Sequence, residues 1–163
     1  IAGALNVASS VSIGGGTTVG GALVVGANST QGDFVQYSDT FDGTTINTNN
    51  WTVTGSNATQ NGNLNIVGAG NWTTNGVTST QAYRRSNTLT LTTDITPPSS
   101  GSILTMVGFT SVPGTMNYTN MPHAIYFDAG SLLVYENGTS RGNVGTYTPG
   151  TTYRVRIAVT NNG

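Results

Sequence analysis

The chain has 163 residues, of which six are acidic, five are arginines and none is lysine, so its formal net charge is −1 at pH 7. Phosphate recognition depends on clustered Lys and Arg, so this composition excludes an electrostatic nucleic-acid binder. Disulfides and thiolate metal sites are excluded because cysteine is absent, and no apolar run approaches the roughly 20 residues of a membrane-inserted helix.

Residues 1–31 form a Gly-rich, uncharged segment, and residues 32–36 connect it to the rest of the chain. Residues 3–7 (GALNV) return at residues 21–25 (GALVV), an offset of 18 with four of five positions identical. Such short apolar bursts cannot bury themselves, so neighbouring turns or chains must supply a core. The pattern predicts an extended or β-solenoid-like shaft segment with these assembly residues: Leu5, Val7, Val11, Ile13, Val19, Leu23 and Val25.

This repeated segment resembles the Gly-rich shafts of bacteriophage tail fibres and of large bacterial surface proteins. The uncovered aliphatic repeat predicts that the chain assembles with itself, as a homotrimer or with filament neighbours. Two alternatives remain open: a flexible linker, or a donor strand that inserts into the neighbouring subunit of a filament. The number of large aliphatic side chains favours an assembling segment over a solvated linker.

A second region, residues 37–163, contains most of the aromatic side chains, which indicates a hydrophobic core. Its abundant Thr, Ser, Asn and Gly favour strands and turns over helices. Alternating apolar residues predict strands near residues 51–54, 63–67, 81–93 and 102–110. Turn signals at intervals of roughly 8 to 12 residues indicate an antiparallel β-sandwich.

Residues 124–159 carry the clearest strand–turn–strand pattern and predict a β-meander. The Asn137-Gly138 pair predicts a type I′ hairpin turn, because both central residues of that turn need a positive φ. Pro149-Gly150 predicts a second turn. The last strand alternates between an apolar face and a face that carries cations: Tyr153, Val155, Ile157 and Val159 against Arg154, Arg156 and Ala158.

The order of these signals resembles the concanavalin A-like lectin and glucanase jelly roll. The resemblance is carried by Phe41-Asp42-Gly43, Ile46, Trp51, Gly62-Asn63-Leu64-Asn65-Ile66 and Tyr153-Arg154-Val155-Arg156-Ile157. It implies an all-β, antiparallel jelly-roll β-sandwich over residues 37–163. Members of that family continue with a Gly turn and a further strand. Three alternatives remain open: a sandwich truncated at its C-terminal end, a missing strand supplied by a partner chain, or a minimal sandwich.

Glucanases of this superfamily cleave glycosides with two carboxylates at a fixed separation. Glu136 is the only glutamate, and the Glu-x-Asp-x-x-Glu spacing of those enzymes is absent. His123 is the only histidine, and the sequence contains neither a G-x-S-x-G motif nor a lysine that would complete a phosphate loop. The sequence therefore predicts that the protein is not an enzyme and uses no cofactor.

Asp39 and Asp42 are the one close pair of acidic residues. Asp side chains often bond to the backbone of turns, so a role as turn and cap residues is the first interpretation. The alternative is a structural calcium site, because Ca²⁺ takes several carboxylate and carbonyl oxygens.

Carbohydrate sites combine aromatic rings with a few polar groups, which makes Trp72 and Tyr118 the candidate ligand-binding aromatics. Packing is the alternative role for both. Arg84 and Arg85 are candidates for contact with an acidic sugar, with a solvated surface role as the alternative.

Six Asn-x-Ser/Thr sequons occur, about the number that this composition produces by chance: Asn28, Asn50, Asn57, Asn71, Asn117 and Asn137. Asn137 at the predicted hairpin tip, and Asn117, are the candidate glycosylation sites.

These observations predict a non-enzymatic fibre or adhesin protein, with a lectin-like head that contacts cell-surface glycans. Its expected location is extracellular, on a virion or a cell. One alternative is a subunit of a bacterial or archaeal cell-surface filament that assembles by strand complementation through residues 1–31. The other is a carbohydrate-binding module of a secreted protein.

Overall fold

The computed structural model describes residues 37–67, 75–83, 88–99, 103–112, 114 and 117–160. The chain divides into two compact units, Ile1–Ser38 and Asp39–Gly163. The predicted shaft, its seven assembly residues and the connector all lie outside the described residues.

The described part of the second unit is built from ten strands and one short 3-10 turn, Tyr118–Asn120, without an α-helix. All strand pairs are antiparallel, which confirms the predicted all-β antiparallel class. Within the same residues, no helix has the length and hydrophobicity to cross a membrane. The strands are β1 Trp51–Thr54, β2 Ala58–Gln60, β3 Leu64–Ile66, β4 Gly76–Ser79, β5 Thr88–Ile95, β6 Leu104–Phe109, β7 His123–Asp128, β8 Ser131–Glu136, β9 Thr139–Thr146 and β10 Tyr153–Thr160.

Strands β6, β7, β8 and β9 form a four-stranded meander in chain order. The turn between β8 and β9 is the predicted one, since Asn137 has φ 48° and Gly138 has φ 75°. A short loop with Gly130 at φ 98° joins β7 to β8. Local sequence therefore suffices to explain these two hairpin connections.

The prediction that the meander continues to residue 159 is wrong, because β10 pairs with β5 instead of β9. The chain is redirected at the predicted turn, where Thr151 N donates to Thr148 O (3.2 Å) and Gly150 has φ 78°. A proline followed by a positive-φ glycine is the composition of a type II turn. The physical reason for the change of sheet is burial. Beside β9, β10 would only extend the meander, whereas across the inner face of the meander its apolar side chains are buried.

The core lies between the inner face of the meander and the β5–β10 sheet. Phe127 is 0% exposed, and its ring lies 5.3 Å from that of Tyr147 between ring centroids. Val155 of β10 completes this buried cluster. Seven partly buried apolar residues pack around it: Ile95, Ile103, Val107, Ile125, Leu132, Tyr153 and Ile157.

The outward face of β10 carries the predicted cations. Arg154 is paired across the strands with Asp94, and both Nε–Oδ1 and Nη2–Oδ2 distances are 2.8 Å. The hydrogen bond from the Arg154 guanidinium holds the pKa of Asp94 below its usual value of 3.8. The ion pair joins two residues that are directly opposite each other in the β5–β10 register. It is exposed to solvent and lies outside the core.

The remaining strands form two small sheets, β1–β4 and β2–β3. The strand predicted near residue 64 is present, yet Ile66 is 45% and Val67 is 65% exposed. The alternation of apolar and polar residues therefore predicted the strand correctly, but this strand contributes little to the described core.

We expect Phe127→Ala to lower the free energy of unfolding by about 3–5 kcal/mol, because it empties a fully enclosed site between two sheets. Val144→Ala is the control, since Val144 is 63% exposed and truncation there should change stability by less than about 0.5 kcal/mol. Urea unfolding followed by tryptophan fluorescence measures both. Equal effects of the two substitutions would contradict the assignment of the core.

Candidate functional site

A pocket of about 410 Å³ lies on the outer face of the meander, opposite the core. We name it the tyrosine pocket, and its lining residues are Tyr118, Tyr126, Tyr135, Gly138 and Ser140. Its volume falls in the range of small-ligand sites, roughly 300–1,000 Å³. Among the residues that the structure describes, every one that lines the pocket is uncharged.

Alternation along β7 and β8 brings two of the tyrosines together. Tyr135 is directly opposite Ala124, two residues before Tyr126, so both rings are on the face that points away from Phe127. The Tyr126 and Tyr135 ring centroids are 5.7 Å apart with the ring planes at 90°. This edge-to-face contact fixes both rings.

The third tyrosine comes from the 3-10 turn. Asn117 begins that turn, and its Oδ1 accepts a hydrogen bond from Thr119 N at 3.1 Å. The turn places the Tyr118 ring edge-to-face with Tyr135, with centroids 6.2 Å apart and planes at 86°. Tyr135 therefore lies at the centre of a three-ring arrangement.

The β8–β9 hairpin tip packs directly against the 3-10 turn. Asn137 N donates to Pro122 O (3.2 Å), and a Cβ atom at Gly138 would lie 2.9 Å from Thr119 Cα. Glycine at 138 thus allows both the left-handed turn and the close approach of the two backbones. The position of Tyr118 depends on that approach.

The side chains of the pocket present hydroxyl groups from three tyrosines and one serine. Burial, together with the charge of the nearby Asp128 carboxylate and a hydrogen bond to it, raises the pKa of Tyr126 to about 12. Ser140 Oγ accepts a hydrogen bond from Gly142 N at 3.3 Å, so its own proton is available to donate. The arrangement is suited to stacking and hydrogen bonding, and it offers no acid–base pair.

A second cleft of about 400 Å³ opens between the two sheets beside β10. Ile125 and Val134 line it from the meander, and Ile157 and Val159 line it from the opposite sheet. Glu136 is the only acidic residue among its lining residues, and Glu136 Oε2 is paired with Arg141 Nε at 2.9 Å. This cleft therefore lacks the two carboxylates that glycoside hydrolysis requires.

In the predicted aspartate pair, Asp39 bonds to the local backbone and to a tryptophan ring. Asp39 Oδ1 accepts from Phe41 N (2.9 Å), and Asp39 Oδ2 accepts from Trp51 Nε1 (2.6 Å). The Phe41 and Trp51 rings lie 5.2 Å apart between centroids. Asp42 is exposed, and the described residues contain no group of three His, Cys, Asp or Glu side chains that could hold a metal ion. Asp39 thus anchors the loop that leads to β1.

Among the residues predicted to bind a ligand, Tyr118 lines the tyrosine pocket, and its binding role stays a prediction. Trp72, Arg84 and Arg85 lie outside the described residues. Sequence reasoning missed Tyr126 and Tyr135. Pairing β7 with β8 around the Ala129-Gly130 turn, where both residues have a positive φ, would have found them, because it places both rings on one face.

We expect Gly138→Ala to destabilise the protein and to displace Tyr118, since the new methyl group would clash with Thr119 and the residue has a positive φ. The loss in free energy of unfolding should exceed that of Gly62→Ala. Gly62 has a similar positive φ, of 70°, but a Cβ atom there meets nothing within 4 Å. Thermal unfolding and the NMR shifts of the tyrosine ring protons measure the two effects. Equal losses would show that the contact with Thr119 contributes nothing.

No family model, no curated protein and no solved structure matches this chain.

Proposed function

We propose that residues 37–163 form a non-enzymatic carbohydrate-binding domain with a jelly-roll sandwich fold, which acts as the head of an extracellular fibre or adhesin on a virion or a cell. The observation that carries this proposal is the tyrosine pocket. Sugar rings pack their C–H faces on aromatic rings, and their hydroxyls exchange hydrogen bonds with neutral donors and acceptors. Three tyrosines and one serine supply both kinds of contact.

The charge of the pocket defines the ligand class. Among the residues that the structure describes, none of those lining the pocket is an acidic or basic residue. An acidic sugar would form no ion pair with these residues, whereas a neutral sugar needs no ion pair to bind. The proposed ligand is therefore a neutral oligosaccharide of a cell surface.

We expect Tyr118→Ala to weaken binding of a neutral oligosaccharide by about tenfold or more, since one stacked ring is worth roughly 1 kcal/mol or more beyond its buried area. Tyr118→Phe should retain most of the affinity because it keeps the ring. Val67→Ala is the control, because Val67 is 65% exposed and follows β3, which belongs to a different sheet from the pocket. A glycan array identifies the ligand, and isothermal titration calorimetry measures the affinity of each variant for it. Absence of any glycan hit for the intact protein would refute the proposal.

A second candidate function is a filament subunit that accepts a strand from its neighbour. The cleft between the sheets favours it, because it follows residues 156–160 of β10 and has apolar side chains on both sides, with Ile125 and Val134 facing Ile157 and Val159. Within the described residues, β10 is paired with β5 alone. A strand added beside β10 would cover Ile125 and Val134.

Deleting residues 1–31 separates the two candidates. If the segment complements a neighbouring subunit, the truncated protein should lose stability and regain it when a synthetic peptide of residues 1–31 is added. If the segment is only a shaft, the truncated protein should unfold at the same temperature with and without the peptide. Circular dichroism melting measures both cases, with a peptide of scrambled order as the control.

A further inference from the structure

Two sequons meet at the rim of the tyrosine pocket. In Asn117-Tyr118-Thr119 the middle residue lines the pocket, and in Asn137-Gly138-Thr139 the middle residue lines it as well. The two tripeptides touch, since a Cβ atom at Gly138 would lie 2.9 Å from Thr119 Cα. A sugar chain attached to either asparagine would begin one residue away from the pocket.

The two acceptor asparagines differ in exposure. Asn117 is half-buried, and its Oδ1 caps the 3-10 turn through Thr119 N at 3.1 Å. Asn137 is exposed at the hairpin tip, where its backbone N–H is satisfied by Pro122 O at 3.2 Å. Its backbone therefore holds the turn, and its side chain has room for a bulky substituent. A glycan fits the folded protein at Asn137 and conflicts with the cap at Asn117.

We propose that Asn137 is an N-glycosylation site and that its glycan closes the tyrosine pocket, so that modification switches ligand binding off. This proposal rests on the proposed function. In the transfer, Asn137 Nδ2 forms a bond to the anomeric carbon of the first sugar. The bond from that carbon to the pyrophosphate oxygen of a lipid-linked oligosaccharide donor breaks, and the amide loses one proton.

Closure follows from the size and chemistry of the attached sugar. Its first residues are larger than the side chains that line the pocket, and they begin next to Gly138. They also carry the same C–H faces and hydroxyls as the proposed ligand, so the rings of Tyr118 and Tyr135 are suitable partners for them. An attached sugar competes at a high effective concentration, which a free oligosaccharide cannot easily match.

The test produces the full chain in a host with an N-glycosylation pathway and in a host without one. Peptide mass spectrometry should find the glycan on Asn137 and none on Asn117. The modified protein should bind the neutral oligosaccharides of the array at least about tenfold more weakly than the unmodified protein. Nitration of Tyr118 and Tyr135 by tetranitromethane should be several-fold slower after modification, and this readout needs no sugar ligand.

Two variants provide a matched control, since each replaces one sequon hydroxyl with a methyl group. Thr139→Val should abolish the glycan in the modifying host and restore binding and nitration, while Asn137 remains in the turn. Thr119→Val should leave the glycan on Asn137. An unmodified Asn137, or a modified Asn137 with unchanged nitration, overturns this proposal. A lack of sugar binding by the unmodified protein instead refutes the proposed function, and nitration still decides whether the pocket is closed.

Discussion

The packing of β10 across the inner face of the meander is the contact on which the rest of the described fold depends. Phe127 and Val155 belong to opposite sheets, and Tyr147 lies on the connection between them. If the two-stranded sheet and the four-stranded sheet were separate, the apolar face of each would have no layer to pack against. Joined through these three side chains, they form one core, with the charged face of β10 toward solvent.

Because the core occupies only the inner face of the meander, the outer face can form the tyrosine pocket. Tyr126 is adjacent in sequence to Phe127 and therefore points the opposite way, yet it is only 7% exposed. Its contact with Tyr135 and the approach of the 3-10 turn create a sheltered aromatic surface away from the core. The core strands β7 and β8 thus provide a rigid support for the pocket, which is the arrangement that precise ligand binding requires.

Predictability from sequence differed between the two sides of the meander. The hairpin at Asn137-Gly138 could be predicted because its turn needs two residues with positive φ, a local property. The three-tyrosine pocket could not be found residue by residue. Tyr118 was singled out from its loop, but Tyr126 and Tyr135 acquire a shared site only through strand pairing, and the approach of Gly138 to Thr119 joins elements about twenty residues apart.

The amino-acid sequence by itself determined the all-β class, the turns and the alternation of β10, because each depends on backbone preferences and side-chain spacing within a few residues. It also placed an apolar face on β10 without specifying what that face would cover. Only the tertiary structure decided that β10 leaves the meander, pairs with β5 and packs on Phe127. The physical reason is that a strand with one apolar face satisfies its pattern equally well beside β9 or across the sheet, and only burial of the whole core distinguishes the two.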